Sequence, residues 1–380
     1  MSEIKVNSIK GVGASAAAIT VNNSDGTCTA NLSNRQGKNL IINGAQLIAQ
    51  RGVDATGVSA NGFATVDRFT ADQSGTDEYI EQHQVDVSSG TTPYTLGFRK
   101  AFQVKNGNQS SGAGTSDRVT IVYKIEAQDM ANSGWNYNSA SSFVTFSYWV
   151  KSSVAQNFYN RFKSADSPSQ AYVTETGSLS ADTWTKITKT ISGNSNIVFN
   201  NDNGEGLEIT WELFRGTSQT GTRPLNAWAT SDNNTRTPDQ TSTWYTTNDA
   251  TFEITGVQLE VGSVATDFEH RSFAQELQLC KRYFQIIGPS SGEAQNSSNI
   301  QGTLQATPFM RANPSIAIID NSNNVGLAGT GTNSVTSVGT IYTESESLGM
   351  GGWVEMGGSG FTQHRFYHIY GGKFSFSAEL

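Results

Sequence analysis

The sequence predicts an all-β protein. A short amino-terminal segment precedes an antiparallel β-sandwich, and a β-rich carboxy-terminal unit follows, opened by one short helix. Three observations carry this. Apolar residues alternate with polar ones over run after run, the period of half-buried strands. The runs are separated by Asn-, Ser-, Gly- and Asp-rich loops, and 38 glycines supply the turns. Only one stretch switches to helical spacing: Phe273, Leu277, Cys280 and Phe284 fall on a single amphipathic stripe.

In chain order, residues 1–37 are weakly patterned: Ile4, Val6 and Ile9, then ASAAAITV, then NNSDGTCTANLSNRQG. Asp25-Gly26 suits a hairpin turn between short strands. Such a segment buries little apolar area, so a partner or copies of itself must order it. Residues 38–270 form the second unit, with core positions expected from Leu40 and Ile42 onward. Its strands include RVTIVYKIEA, SFVTFSYWVKS, TWTKITKTI and LEITWELF, about eight in all and without a helix-length pattern, which points to two packed antiparallel sheets. In TFEITGVQLEV the alternation changes parity at Gly256, as a glycine bulge would make it do. Residues 271–380 form the third unit: the helix, then strand candidates GTLQATPFM, PSIAIID, SVTSVGTIYTES, GWVEMGGSGF, HRFYHIYGG and KFSFSAEL.

Composition excludes several classes. A net charge of −8 with no cluster of lysine or arginine excludes nucleic acid as a partner. No apolar run approaches the roughly 18 residues of a membrane span, so no membrane insertion is expected. The start, MSEIKVNSIKG, lacks the apolar core of a signal peptide, which argues against a secreted protein of cellular origin. Cys28 and Cys280 are the only cysteines; Cys280 reads as a small buried hydrophobe, and a disulfide between the two is open.

No catalytic constellation emerges, and the chain is expected not to be an enzyme. Glu208 and Glu212 share a strand face but stand about 13 Å apart along it, too far for the carboxylate pair of a glycosidase. His364, Phe366 and His368 alternate in one run and would share a strand face, where two histidines suit a metal only if an acidic or thiolate ligand joins them. No cofactor is expected. Asp202, Asn203 and Glu205 offer the hard oxygen donors that calcium takes, although NDNG is foremost a turn. Aromatics are the more telling set, because sugar rings lay their C–H faces on indole and phenol planes. Trp149, Trp184 and Trp211 lie in strands and read as core. Trp135, Trp228 and Trp244 with Tyr245 lie in polar loops and are the glycan-binding candidates; on the third unit Trp353, His364, Tyr367 and His368 are the candidates.

Several of these segments also resemble one family. Gly256-Val257-Gln258-Leu259-Glu260, Ala265-Thr266 and Phe268-Glu269 lead into Glu276-Leu277, Leu279-Cys280 and Arg282-Tyr283-Phe284. This resembles a junction in tail-fibre and related virion structural proteins of tailed bacteriophages, with Phe284 where a tyrosine is usual. The N-L-I-I-N-G-x-x-x-x-A-Q-R-G pattern from Asn39, Thr65–Phe69 (TVDRF), Met310-Arg311-Ala312-Asn313-Pro314 and the closing Ala378-Glu379-Leu380 resemble the same proteins. So does the opening, which there attaches the fibre to the particle. The order of TWTKIT before LEITWEL is similar to jelly-roll carbohydrate-binding modules, some of which carry a structural calcium. The resemblance implies a virion location on tail or particle surface, a homotrimer, attachment to another virion protein through residues 1–37, and adsorption to a host cell-surface glycan by binding. A capsid fibre or decoration protein, or a glycan-degrading tailspike, are the competing expectations.

Overall fold

The computed structural model describes residues 6–10, 12, 19–21, 28–30, 37–57, 62–287, 291–320, 324–327, 330–342, 351–370 and 373–380, in some strands by backbone alone. Strands β1 (Ser8–Ile9), β2 (Ile19–Val21) and β3 (Cys28–Ala30) form a small antiparallel sheet. The Asp25-Gly26 turn expected between β2 and β3 lies outside the described residues.

The body is a sandwich of two six-stranded sheets. Its strands are β4 (Asp54–Ala55), β5 (Thr70–Ser74), β6 (Glu81–Asp86), β7 (Lys100–Lys105), β8 (Arg118–Glu126) and β9 (Phe143–Ser152), followed by β10 (Asn157–Ser164), β11 (Gln170–Ser178), β12 (Thr185–Ser192), β13 (Glu205–Arg215), β14 (Trp228–Thr230) and β15 (Thr251–Val261). One sheet has the order β14-β11-β10-β13-β8-β5, the other β12-β9-β15-β7-β6-β4. At most steps the chain crosses from one sheet to the other, as in a jelly roll. Inward positions carry the apolar half of each alternation: Val119, Ile121, Tyr123 and Ile125 on β8; Leu207, Ile209, Trp211 and Leu213 on β13; Phe252 and Ile254 on β15. Short helices α1 (Thr92–Thr95), α2 (Ala127–Ala131) and α3 (Thr243–Thr246) lie in the connections.

Gly256 is the parity break in β15. Pairing with β9 is regular to Thr255 and resumes at Gln258. Its φ of +61° is a left-handed conformation, and a Cβ there would lie 2.6 Å from the Phe98 ring. Only glycine satisfies both conditions. Phe98 thereby packs edge-on against Phe268, centroids 4.9 Å apart, in a second apolar cluster on the outside of that sheet. Trp149 and Trp184 are half-buried in this outer cluster, whereas Trp211 is in the main core.

Helix α4 (Phe273–Lys281) begins with a reciprocal capping box between Ser272 and Gln275. The expected stripe is the buried face only in part: Cys280 is buried and Leu277 half-buried, but Glu276 is buried beside them and Phe273 is not. Phe273 is 61% exposed and Phe284 belongs to the next strand; the buried residues are Glu276 and Cys280. The helix turns this way because the Glu276 carboxylate accepts the buried Asn43 amide and faces Arg271. Cys280 is a free, buried thiol pushed up in pKa by burial; Cys28 lies in β3, its side chain outside the described residues.

Beyond α4 come β16 (Phe284–Ile287), β17 (Ser291–Ala294), β18 (Asn299–Gln305), β19 (Ser315–Asp320), β20 (Asn324–Leu327), β21 (Thr330–Tyr342), β22 (Gly351–Gly358), β23 (Phe366–Tyr370) and β24 (Lys373–Ser377). Three of them form the sheet β16-β24-β19, and six close a barrel in the order β17-β18-β22-β21-β20-β23.

Candidate functional site

The segments singled out in the sequence meet at one place, the joint between the sandwich and the sheet that follows α4. Asn39 substitutes for a neighbouring strand: its Oδ1 accepts the amides of Leu259 and Ile41, each at 3.0 Å, and its Nδ2 donates to the Val257 carbonyl at 3.1 Å. Gly44 lies against the same carbonyl; a Cβ would stand 2.1 Å from it. The N-L-I-I-N-G and G-V-Q-L-E segments are therefore two halves of one contact. Glu260 then holds the A-T segment, accepting the Thr266 amide at 2.8 Å and its hydroxyl at 2.6 Å. Glu269 accepts the amides of Gly37 and Asn39 and faces Arg271. Of the first positions in the second unit, Ile41 is buried, while Leu40 and Ile42 are half-buried beside it.

On the far side of α4 the contacts are ionic. The Arg68 guanidinium is 1% exposed, pairs with Glu379 at 2.5 Å and donates to the Lys124 carbonyl at 2.6 Å. It lies over the Tyr283 ring, 3.4 Å from its centroid. Arg51 reaches Glu379 at 3.2 Å and stacks on Phe284 at 3.5 Å. Glu126, fully buried, accepts from Arg282 at 2.8 and 3.1 Å and from the Tyr283 hydroxyl at 2.6 Å. Burial pushes the Glu126 carboxyl up, but these bonds outweigh it and hold the group below the usual carboxylate range. Asp67 is the opposite case: burial dominates over Gln50 and Arg51 and raises it to about 6. Arg311 ties the M-R-A-x-P segment in, donating to the Ala378 carbonyl at 3.0 Å, while its own amide donates to the Arg282 carbonyl at 2.9 Å. Each carboxylate named here has an ion-pair or hydrogen-bond partner.

Alongside α4 runs an open groove of about 860 Å³, lined by Gly37, Arg271, Ala274, Leu279 and Phe309 among others. Leu279 and Phe309 remain exposed in it, and Phe273, at the start of α4, is exposed as well.

The glycan-binding candidates of the body are not where their polar flanks suggested. Trp244 and Tyr245 are fully buried in the core: the Trp244 indole donates to the Thr251 carbonyl at 3.1 Å, and Tyr245 stacks on Phe214 at 4.4 Å and donates its hydroxyl to Asp117 at 3.0 Å. Trp135 is 3% exposed and packs near Tyr137 and Phe199. These three offer no face to a sugar. Trp228 is half-buried on edge strand β14, against Tyr172, and its indole donates to the Ser192 carbonyl at 2.7 Å. It closes the open side of the sandwich, because β14 and β12 are the edges of the two sheets on that side.

The oxygen-ligand loop is also spent elsewhere. Glu205 stands between Lys124 at 2.7 Å and Lys163 at 3.5 Å; Asp202 accepts the Gly204 amide at 2.9 Å; Asn203 donates to the Arg311 carbonyl at 2.6 Å. Two ammonium groups beside Glu205 oppose a cation there, so the loop's oxygens serve the chain's own contacts. No group of three or more His, Cys, Asp or Glu side chains able to hold a metal occurs among the described residues. Glu208 pairs with Arg161 at 3.2 Å and Glu212 with Arg215 at 2.8 Å.

On the third unit Tyr367 is 3% exposed, its hydroxyl accepting the Thr362 amide at 2.7 Å, so it is a core residue and not a surface candidate. His364 lies in the turn before β23, with φ +63°, so it does not share the strand face of His368. Trp353 lies in β22, its side chain outside the described residues. Sequence reasoning missed Phe366 as a surface aromatic: it is 71% exposed.

No family model matches the chain, and no curated protein does. Among solved structures it is similar, over 59% of its length at 10% identity and a TM-score of 0.30, to the enzymatically active domain of tailspike protein 4 of bacteriophage CBA120. The chain spans 21% of that protein's length. It is similar over 57% of its length, at 12% identity and a TM-score of 0.26, to the N-terminal cellulose-binding domain of β-1,4-glucanase C from Cellulomonas fimi, of which 99% is covered. A third likeness, 57% of the chain at 10% identity and a TM-score of 0.24, is to the family 11 carbohydrate-binding module of Clostridium thermocellum in complex with a mixed-linked tetrasaccharide, 97% covered. The fold class stands on the strand pairing described above, and what those proteins bind or act on is theirs.

Proposed function

We propose that this chain is a structural protein of a tailed-phage particle, a fibre that binds host surface glycans without turning them over. The observation that supports this reading is the joint. The segments that resemble phage fibre proteins, distant in sequence, meet there and fix a β-sandwich to a further β-rich unit, as a load-carrying modular fibre requires. Residues 1–37 would attach it to another virion protein. Homotrimeric assembly would cover the exposed Phe273, Leu279 and Phe309 beside α4, apolar surface that a closed ring hides. Binding without catalysis is favoured by the carboxylates of the sandwich: Glu205, Glu208 and Glu212 are each neutralised by lysine or arginine. In the test, purified protein is added to host cells before phage, and host polysaccharide is assayed for new reducing ends. The reading expects phage adsorption to fall with protein concentration and no reducing ends to form. Unchanged adsorption would overturn the binding role, and steady release of reducing ends would make the chain a tailspike enzyme.

A further inference from the structure

The barrel carries an exposed constellation that the sandwich does not. Strand β17 lies between β18 and β23, and its register places Glu293 opposite Gln301 on one side and opposite Phe366 on the other. Gly292, Ala294 and Tyr367, the residues between, are buried, so alternation puts Glu293, Gln301 and Phe366 on the outer face of the barrel. One strand further, Glu355 stands opposite Gln301. A shallow open hollow of about 330 Å³ lies here, with Glu293, Gln295, Gln301 and Phe366 around it and Gly292 and Gly302 beneath. The floor requires its glycine: a Cβ on Gly292 would stand 2.5 Å from the Gln301 carbonyl oxygen.

The surround is held in place. The turn before β23 is tied to β17 by Ala294 donating to the Arg365 carbonyl at 2.9 Å and His364 donating to the Ala294 carbonyl at 2.8 Å. His364 Nδ1 lies 3.1 Å from Glu293 Oε1, which fixes that carboxylate at the rim. Phe366 follows directly on this turn. A phenyl ring left 71% exposed among amides and a carboxylate contributes little to folding and offers a flat apolar face beside hydrogen-bonding groups.

From this we infer that the Phe366 hollow is a sugar subsite for a neutral or amino-bearing pyranose, its C–H face on the Phe366 ring and its hydroxyls on Glu293, Gln295 and Gln301. The volume is at the low end of ligand clefts and suits about one or two sugar rings. Glu293 and Glu355 disfavour uronate, sulfate and phosphate groups by like-charge repulsion. The inference rests on the glycan-binding role proposed above and says where it lies and which sugars it takes.

The test uses the full chain on a panel of neutral, amino and acidic oligosaccharides, with wild type, Phe366→Ala, Phe366→Tyr and Gln301→Ala compared, and solution mass and melting curve recorded for each. The expected result is capture of neutral or amino sugars by wild type and Phe366→Tyr, and a loss of about tenfold or more in Phe366→Ala and Gln301→Ala at unchanged mass and melting. Wild-type binding to sugars or host cells that Phe366→Ala retains would overturn this subsite while leaving the glycan-binding role standing. Capture of acidic sugars alone would overturn the ligand class. A lower solution mass for Phe366→Ala would make the ring a subunit contact and overturn the inference. A wild-type protein that captures no sugar and no host cell would overturn the glycan-binding role itself.

Discussion

Arg68→Ala will lower stability by about 3–5 kcal/mol, the cost of leaving a buried charge network without one partner. The change removes the ion pair to Glu379, the donor to the Lys124 carbonyl and the plane stacked on Tyr283. Arg51 still reaches Glu379, so the carboxylate is not orphaned, but the buried space of a whole arginine opens beside it. Arg68→Lys will recover only part of the loss, because an ammonium can neither make the forked contact nor stack. The damage should be local. Denaturation followed by limited proteolysis is expected to show cleavage near 282–287 in the variant while the sandwich fragment survives. A variant that melts within about 0.5 kcal/mol of the wild type, with no new cleavage at the joint, would show that the motif segments do not carry the connection.

Trp211→Ala will cost roughly 3–5 kcal/mol, as truncation of a fully buried aromatic does. Its ring lies 5.7 Å from Phe146, 5.8 Å from Tyr148 and 6.0 Å from Phe69, at the contact between the two sheets. Trp228→Ala is the internal comparison. That side chain is half-buried and makes one hydrogen bond across the sandwich edge, so about 1–2 kcal/mol is expected. Chemical denaturation of both variants measures the contrast. Equal losses would mean that the sandwich edge is as important as its centre.

Much of the fold was legible because burial on one face of a strand imposes period two, and β8 and β13 keep it over four successive inward positions. The break at Gly256 was legible too, since a glycine between two alternating runs of opposite parity has few other uses. The helix was found and Cys280 was placed correctly on its buried face, but apolar spacing alone does not register that Glu276 can be buried when Asn43 and Arg271 satisfy it. The loop aromatics failed for a related reason. Asn, Ser and Thr around Trp244 read as solvent-facing, yet polar side chains there serve the chain itself: Asn106, 1% exposed, donates to the Tyr245 carbonyl at 2.6 Å. Turn-forming residues report on the backbone and say little about where a neighbouring indole points. Phe366 was passed over because it lies between two histidines in a run that reads as a strand. Its partners Glu293 and Gln301 come from other strands, and register across three strands is not written in local sequence. The lysine partners of Glu205 show the same gap, since Lys124 and Lys163 reach it only through sheet pairing.

The central claim is that this chain is a fibre on a phage particle, and direct labelling tests it most plainly. Gold-conjugated antibody against the chain is applied to intact phage particles and imaged by electron microscopy. The account predicts gold at the tail, on thin projections, and none on particles assembled without residues 1–37 of the chain. Gold on the capsid would place the chain as a head fibre or decoration protein, and particles that carry no gold at all would contradict the account.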